Sequence, residues 1–247
     1  MSSIDFPLRL TGVRFYFVGL KGTGTSALAE LLQGSGAHVS GSDIADTFYT
    51  DQILNELGLV CHQGFDAANV PSEPCIVVHS AAYSSATNCE LAEASRRGLP
   101  ILKYTEALGA YSAHFDSSGI AGVHGKTTTT ALAGTLCQAL KLPAKILAGS
   151  AVGDFGGRST LNLGDSYFIA ETCEYRRHFL AFHPHRIVLT SVESDHRDYY
   201  PDYESIRSAF VEYGLSLPEG GELIYCADDE GAVETAALIA EKRGTCA

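Results

Sequence analysis

Tryptophan is absent from the 247 residues, methionine occurs once, and only 17 basic residues stand against 29 acidic ones. The resulting formal charge of −12 excludes a broad surface for nucleic acid or anionic membrane, so an anionic ligand must be held by local donors. No apolar run approaches the ~18 to 20 residues of a membrane helix, and the opening MSSIDFPLRL lacks the basic-then-apolar layout of a signal peptide. The seven cysteines contain no Cys-x-x-Cys pair, which argues against a disulfide framework or zinc site and for buried or incidental thiols in a reducing compartment. A cytoplasmic protein is expected, with no nucleic-acid or membrane partner; nothing in the sequence sets an oligomeric state.

What is present is globular in character: 45% apolar residues and 25 glycines over a length that suits one large domain or two ordinary ones. Short β-rich runs alternate with helical patterns, the mark of βαβ units and an α/β fold with parallel sheets. Strands are expected at Arg14 to Val18, Ala37 to Ser40, Cys75 to His79 and Ile101 to Lys103, with helices at Thr25 to Gln33, Ile53 to Leu57 and Cys89 to Arg97. Small and polar residues without periodicity, GAYSAHFDSS from Gly109 to Ser118, then read as a connection, and a second strand–loop–helix unit follows. This places a Rossmann-like parallel-sheet domain at 1–112 and a second α/β domain at 113–247. In the second, strands are expected at Gly119 to Val123, Tyr167 to Ala170, Arg186 to Thr190 and Glu222 to Cys226. Helices are expected at Thr127 to Leu140 and Tyr203 to Tyr213, with a helix-like stretch, AVETAALIAEK, near the end.

Two glycine loops carry the chemistry. Gly19-Leu-Lys-Gly22-Thr23-Gly24 follows a strand and opens a helix, where glycines allow a tight turn and close approach of a ligand phosphate. Asp43, near the end of the next strand, is placed to bind ribose hydroxyls. The Gly-x-x-Gly-x-Gly spacing supports a nucleotide diphosphate, a nicotinamide dinucleotide only weakly, and also fits a purely structural turn. Ser80 and Ala81 follow CIVVH at a strand end, which suits either ligand approach or a tight turn. The second loop reads Gly119-Ile-Ala-Gly122-Val123-His124-Gly125-Lys126-Thr127-Thr128. It lacks the first glycine of the full P-loop pattern but keeps Gly-Lys-Thr between a strand and an Ala/Leu helix. Its amides can cradle phosphates, Lys126 can neutralise them, and Thr127 or Thr128 can offer a hydroxyl to Mg²⁺.

Later strand ends gather acids. Glu171 follows YFIA, and Glu193, Asp195, His196 and Asp198 follow RIVLT. Such clustering is costly unless a cation or ligand compensates it. Glu171 with a P-loop threonine would hold one Mg²⁺, and His196 a second ion or the transferred phosphate. A solvated loop with a helix cap is the plainer reading of the second cluster.

Together these segments resemble the Mur ligase family over nearly all of the chain. The resemblance is carried by FVGLKGTGTSALAELL followed by VSGSD, then HSAA, GVHGKTTTT, AETCEY and VESDHRDYY, in the family's order. It implies an ATP-dependent amide-bond ligase that activates the carboxylate of UDP-N-acetylmuramate as an acyl phosphate and joins L-alanine to it. Carried over by motif, Gly19, Gly22, Thr23, Gly24, Thr25, Asp43, Ser80 and Ala81 would bind the UDP substrate. Gly122, Val123, His124, Gly125, Lys126, Thr127 and Thr128 would bind ATP. Lys126, Glu171 and His196 would be catalytic, with Thr127, Glu171 and His196 as Mg²⁺ ligands. Four positions depart from the family pattern: Lys21 for a frequent glycine, Thr25 for a frequent methionine, Tyr104 for an arginine, and Ser191 for an asparagine. Family members also continue well past this length, so 113–247 is expected to be an incomplete P-loop domain. The chain would then be a ligase fragment, inactive alone. Its alternatives are a non-ligating nucleotide-binding module and the related ligase that attaches a recycled tripeptide.

Overall fold

The computed structural model describes residues 6–244, which divide into two compact units, 6–111 and 112–244. The first contains β1 (Arg14–Val18), α1 (Thr23–Gly34), β2 (His38–Asp43), α2 (Thr50–Glu56), β3 (Val60–Gln63), β4 (Ile76–His79), α3 (Cys89–Arg96), β5 (Ile101–Lys103) and α4 (Tyr104–Ser112). Its five strands pair in the order β3-β2-β1-β4-β5, all parallel. The run Phe15-Tyr16-Phe17-Val18 takes the centre, where all four residues are buried and the one polar group, the Tyr16 hydroxyl, has a buried partner. Strand order reverses between β1 and β4, the switch point of the sheet, and Gly19 and Ser80 begin the loops that leave it at the carboxyl ends of those strands.

One polar group is buried at the heart of this unit. Asn88 caps α3 through its side chain, which turns Glu90 inward until it is fully buried. Its carboxylate accepts from Tyr16 Oη at 3.0 Å, Asn69 Nδ2 at 3.0 Å, the Asp66 amide at 3.2 Å and the Ser42 hydroxyl. Burial drives the Tyr16 phenol well above its ordinary pKa, so it remains a donor. The network ties β1, β2, α3 and the connection after β3 to one point.

The second unit contains β6 (Asp116–Ala121), α5 (Lys126–Ala139), β7 (Ala144–Val152), β8 (Arg158–Asn162), β9 (Tyr167–Glu171), β10 (Arg186–Leu189), α6 (Tyr203–Leu215), β11 (Glu222–Tyr225) and α7 (Glu230–Arg243). The sheet order is β11-β10-β6-β9-β7-β8, parallel except for β8, which runs antiparallel to β7. Two apolar clusters among the described residues form much of its core. One centres on Phe179, stacked on Tyr213 at 4.5 Å with Phe210 edge-on at 5.3 Å; the other joins Cys137, Ala144, Ile146, Ala148 and Phe155.

Both sheets match the expected α/β class, and most elements fall within a few residues of their sequence positions. The expected connection from Gly109 to Ser118 is mostly regular structure instead. Helix α4 runs through Ser112 because Tyr111 is buried against Phe6, its hydroxyl 2.8 Å from Ser35 Oγ, and β6 already begins at Asp116. Ser117 and Ser118 are poor strand formers, and their pairing with Phe168 and Ile169 overrides that preference. The β7–β8 hairpin was not anticipated. Cys75 and Cys137 are buried, Cys61 is half-buried, Cys89, Cys173 and Cys226 are exposed, and Cys246 lies outside the described residues. Among the described residues no helix is long and apolar enough to cross a membrane.

Glu90→Ala should lower unfolding free energy by about 3 kcal/mol, since it leaves several buried donors unpaired at once. Urea denaturation checks this; a midpoint equal to that of the parental chain would show that the network contributes nothing.

Candidate functional site

The first glycine loop lies where β1 ends. Asp43, at the tip of β2, accepts from the amides of Lys21 at 2.7 Å and Ile44 at 2.8 Å. Thr25 is buried and donates its hydroxyl to the Gly19 carbonyl at 2.6 Å. Thr23 receives the Tyr49 hydroxyl at 2.9 Å, and Ser80 Oγ accepts from the Ala82 amide at 3.3 Å. Gly22 caps α1 in an extended conformation with no side-chain cap, which leaves the helix N-terminus for another acceptor. Thus Gly19, Gly22, Thr23, Gly24, Thr25, Asp43 and Ser80 share one corner of the sheet, while Ala81 is exposed just past it.

Aromatic rings explain two of the glycines. A methyl group on Gly19 would collide with the ring of Tyr83, 2.8 Å away, and one on Gly24 with Tyr104 at 2.7 Å. Burial and the Asp43 carboxylate raise the Tyr83 phenol above its usual pKa. Lys21 is buried and turns away from the loop, with Nζ on Asp51 at 3.1 Å and on the Asp46 carbonyl at 2.8 Å. It therefore anchors the segment after β2.

The second loop lies at the carboxyl end of β6. Gly122 (φ +140°) and Gly125 (φ +81°) take conformations that L side chains avoid, and at Gly122 a side chain would also strike Thr190 Oγ1 and the Ser191 backbone. Thr190, just after β10, donates to the carbonyls of Ala121 at 3.0 Å and His124 at 2.5 Å. Ser191 Oγ accepts from the His124 amide at 2.9 Å, so the serine found in place of asparagine supports the loop itself. Helix α5 starts at Lys126 behind a left-handed Gly125, again without a side-chain cap.

Lys126 Nζ donates to Glu174 Oε2 at 2.9 Å and Oε1 at 3.2 Å, and to the carbonyls of Gly122 at 2.5 Å and Val123 at 3.2 Å. Thr127 Oγ1 donates to Glu171 Oε2 at 2.8 Å, the same oxygen that receives the Gly149 amide at 2.7 Å. His196 Nε2 lies 3.1 Å from Glu174 Oε1. The fold therefore joins Thr127 to Glu171, and Lys126 to His196 through Glu174. Val123 is buried in the core cluster, and Thr128 is exposed on the first turn of α5. Among the described residues no three His, Cys, Asp or Glu side chains are grouped to hold a metal ion.

Sequence reasoning assigned no role to Glu174, Gly149, Thr190 or Asp229. Glu174 stood three residues beyond Glu171, past the end of an apolar strand, and that spacing was the available signal. Asp229 caps α7 and receives the Val192 amide at 3.0 Å, fixing the segment that leads to His196; only the folded chain reveals it.

Residues 14–116 match the model described as Mur ligase family, catalytic domain, and residues 120–245 match that of the Mur ligase middle domain. The chain belongs to the Mur ligase family. A UDP-N-acetylmuramate--L-alanine ligase of Treponema pallidum (strain Nichols) is 54% identical over 232 residues, covering 94% of this chain and 48% of the relative. The enzyme of that name in Borreliella burgdorferi is 39% identical over 230 residues, 92% of this chain and 49% of the relative. The chain thus spans about half the length of the curated relatives it matches. Two solved Mur ligase structures share its fold. The UDP-N-acetylmuramate:L-alanyl-gamma-D-glutamyl-meso-diaminopimelate ligase from Neisseria meningitides has a TM-score of 0.79 at 24% identity, covering 94% of this chain and 75% of that one. The UDP-N-acetylmuramate-alanine ligase from Thermotoga maritima has a TM-score of 0.76 at 23% identity, covering 90% and 51%.

Gly122→Ala should lower unfolding free energy by roughly 2 to 3 kcal/mol, because it forces a strained backbone against fixed neighbours. Chemical denaturation is the check, and an unchanged midpoint would contradict the close fit of this loop.

Proposed function

We propose that this chain carries the UDP-substrate site and the ATP-phosphate site of a cytoplasmic ligase of peptidoglycan precursor synthesis. The reaction would join L-alanine to UDP-N-acetylmuramate. The observation that supports this most is the second loop, where a Gly-Lys-Thr helix start brings Lys126 and Thr127 onto two separate carboxylates, Glu174 and Glu171. The identities to L-alanine ligases, 54% and 39%, favour that substrate over a recycled tripeptide.

In the proposed reaction the muramoyl carboxylate takes the γ-phosphoryl group of ATP, giving an acyl phosphate and ADP. The amine of L-alanine then attacks the acyl carbon, phosphate leaves, and the amine loses a proton. Phosphoryl transfer asks chiefly for positioning and charge neutralisation. The amides of Gly122 to Gly125 and the N-terminus of α5 would orient the phosphates, and Lys126 would offset their charge. The Glu171 carboxylate beside the Thr127 hydroxyl is an all-oxygen pair of the kind Mg²⁺ prefers, so these two residues fit a first ion. His196 would face a second ion or the transferred phosphate through Nδ1, since Nε2 is directed at Glu174. Mg²⁺ when bound would neutralise phosphate charge. In the first unit, the uncapped start of α1 between Gly22 and Gly24 would receive the diphosphate of the sugar nucleotide.

The gene product carrying these residues, supplied with ATP, Mg²⁺, L-alanine and UDP-N-acetylmuramate, should release phosphate in step with amide formation. Phosphate release at background level would end this reading. Lys126→Ala should reduce ATP turnover by about 10³-fold or more, the scale of a lost charge clamp, with UDP-N-acetylmuramate affinity within about twofold of the parental value. Equal loss of both would contradict two separate sites.

A further inference from the structure

Glu174 is a carboxylate with 2% exposure whose two oxygens are shared between a lysine and a histidine that sequence reasoning had placed in the transfer site. Its place is tightly determined. Its backbone carbonyl accepts the Tyr200 hydroxyl at 2.6 Å, and burial pushes that phenol up to about 12, which keeps it a donor. The backbone around it is strained. Arg176 (φ +52°), Arg177 (φ +59°) and His196 (φ +51°) all take left-handed conformations, and the only other non-glycine residue of the described chain to do so is Lys141. Such strain costs of order 1 kcal/mol or more per residue and survives only where the surroundings over-determine it. These three residues flank or form the place where Glu174 and His196 meet.

The charge pattern completes the case. Lys126 Nζ has three hydrogens, and its partners are Glu174 and two carbonyls of its own loop. An anion therefore already sits on the ammonium group that a phosphate would need. A ring nitrogen facing a carboxylate at 3.1 Å donates its hydrogen, so the same anion sets the orientation of His196.

We propose that Glu174 is the positioning residue of the phosphate site: it stands in for phosphate on Lys126 in the absence of nucleotide, and it fixes the His196 ring. This inference rests on reading the second loop as a triphosphate site. On arrival of phosphate, Lys126 exchanges Glu174 for the incoming oxygens, and Glu174 keeps its hold on His196. No covalent bond changes in this exchange.

The test is calorimetric titration of the 247-residue chain with inorganic tripolyphosphate in EDTA, together with ¹⁵N spectra of the His196 ring. Glu174→Gln has the same shape without the charge; Glu174→Asp keeps the charge but loses the reach. Both variants release Lys126 and are expected to bind tripolyphosphate at least ~3-fold more tightly, and both should displace the His196 ring signals. Tighter binding by Glu174→Gln alone would mean that only the local charge matters, which overturns the proposal. Unchanged or weaker binding by both variants, or unmoved His196 signals, would overturn it as well. If the parental chain and both variants all fail to bind tripolyphosphate, the triphosphate reading falls and takes this proposal with it. Binding by the parental chain with no gain in the variants removes the Glu174 proposal alone.

Discussion

Parallel pairing of strands governs the rest of this molecule. Each crossover must return the chain to the same starting edge, so the loops that follow the parallel strands of a sheet leave from the opposite edge, β8 being the antiparallel exception. In the first unit that edge collects Gly19, Asp43 and Ser80 from the ends of β1, β2 and β4. In the second it collects the Gly122 to Lys126 loop, Glu171 and Ser191 from β6, β9 and β10. The groups come from positions up to about seventy residues apart in sequence, and the ladder alone brings them together.

Both units place a carboxylate at a crossing point of elements, and the two are satisfied differently. Glu90 has neutral donors from side chains and backbone, which makes it a fastener between β1, β2 and α3. Glu174 has an ammonium group and an imidazole, partners that could also serve a ligand. A buried charge is costly unless its partners are good. The choice of partner therefore separates a structural carboxylate from one placed at a site.

Much of this was legible in the residues. Strand positions followed from apolar runs such as RFYFV and RIVL, and the glycine loops announced themselves by spacing. Glu171 and His196 stood at strand ends where acids and histidine are hard to explain otherwise. What could not be read was pairing. Ser117 and Ser118 become a strand only because β9 lies beside them, and the β7–β8 hairpin adds an antiparallel edge that no local signal demanded. At the sites, sequence identified the glycines and read them as serving either ligand approach or a tight structural turn, without the side chains that crowd them. At Gly19 and Gly24 the space is taken by Tyr83 and Tyr104, side chains sixty-four and eighty positions away. Glu174 was missed for the same reason, since its importance lies in the two side chains it joins across the fold.

The contact of Tyr104 with Gly24 reaches further than packing. A glycine and a tyrosine that fill one another's volume behave as a single unit of variation. A larger residue at position 24 would be tolerated only with a smaller one at 104, and an arginine at 104 would have to follow a different path past the start of α1. In this chain the mouth of the first loop is thus bounded by an uncharged aromatic wall, and its outline is set jointly by Tyr104 and Gly24.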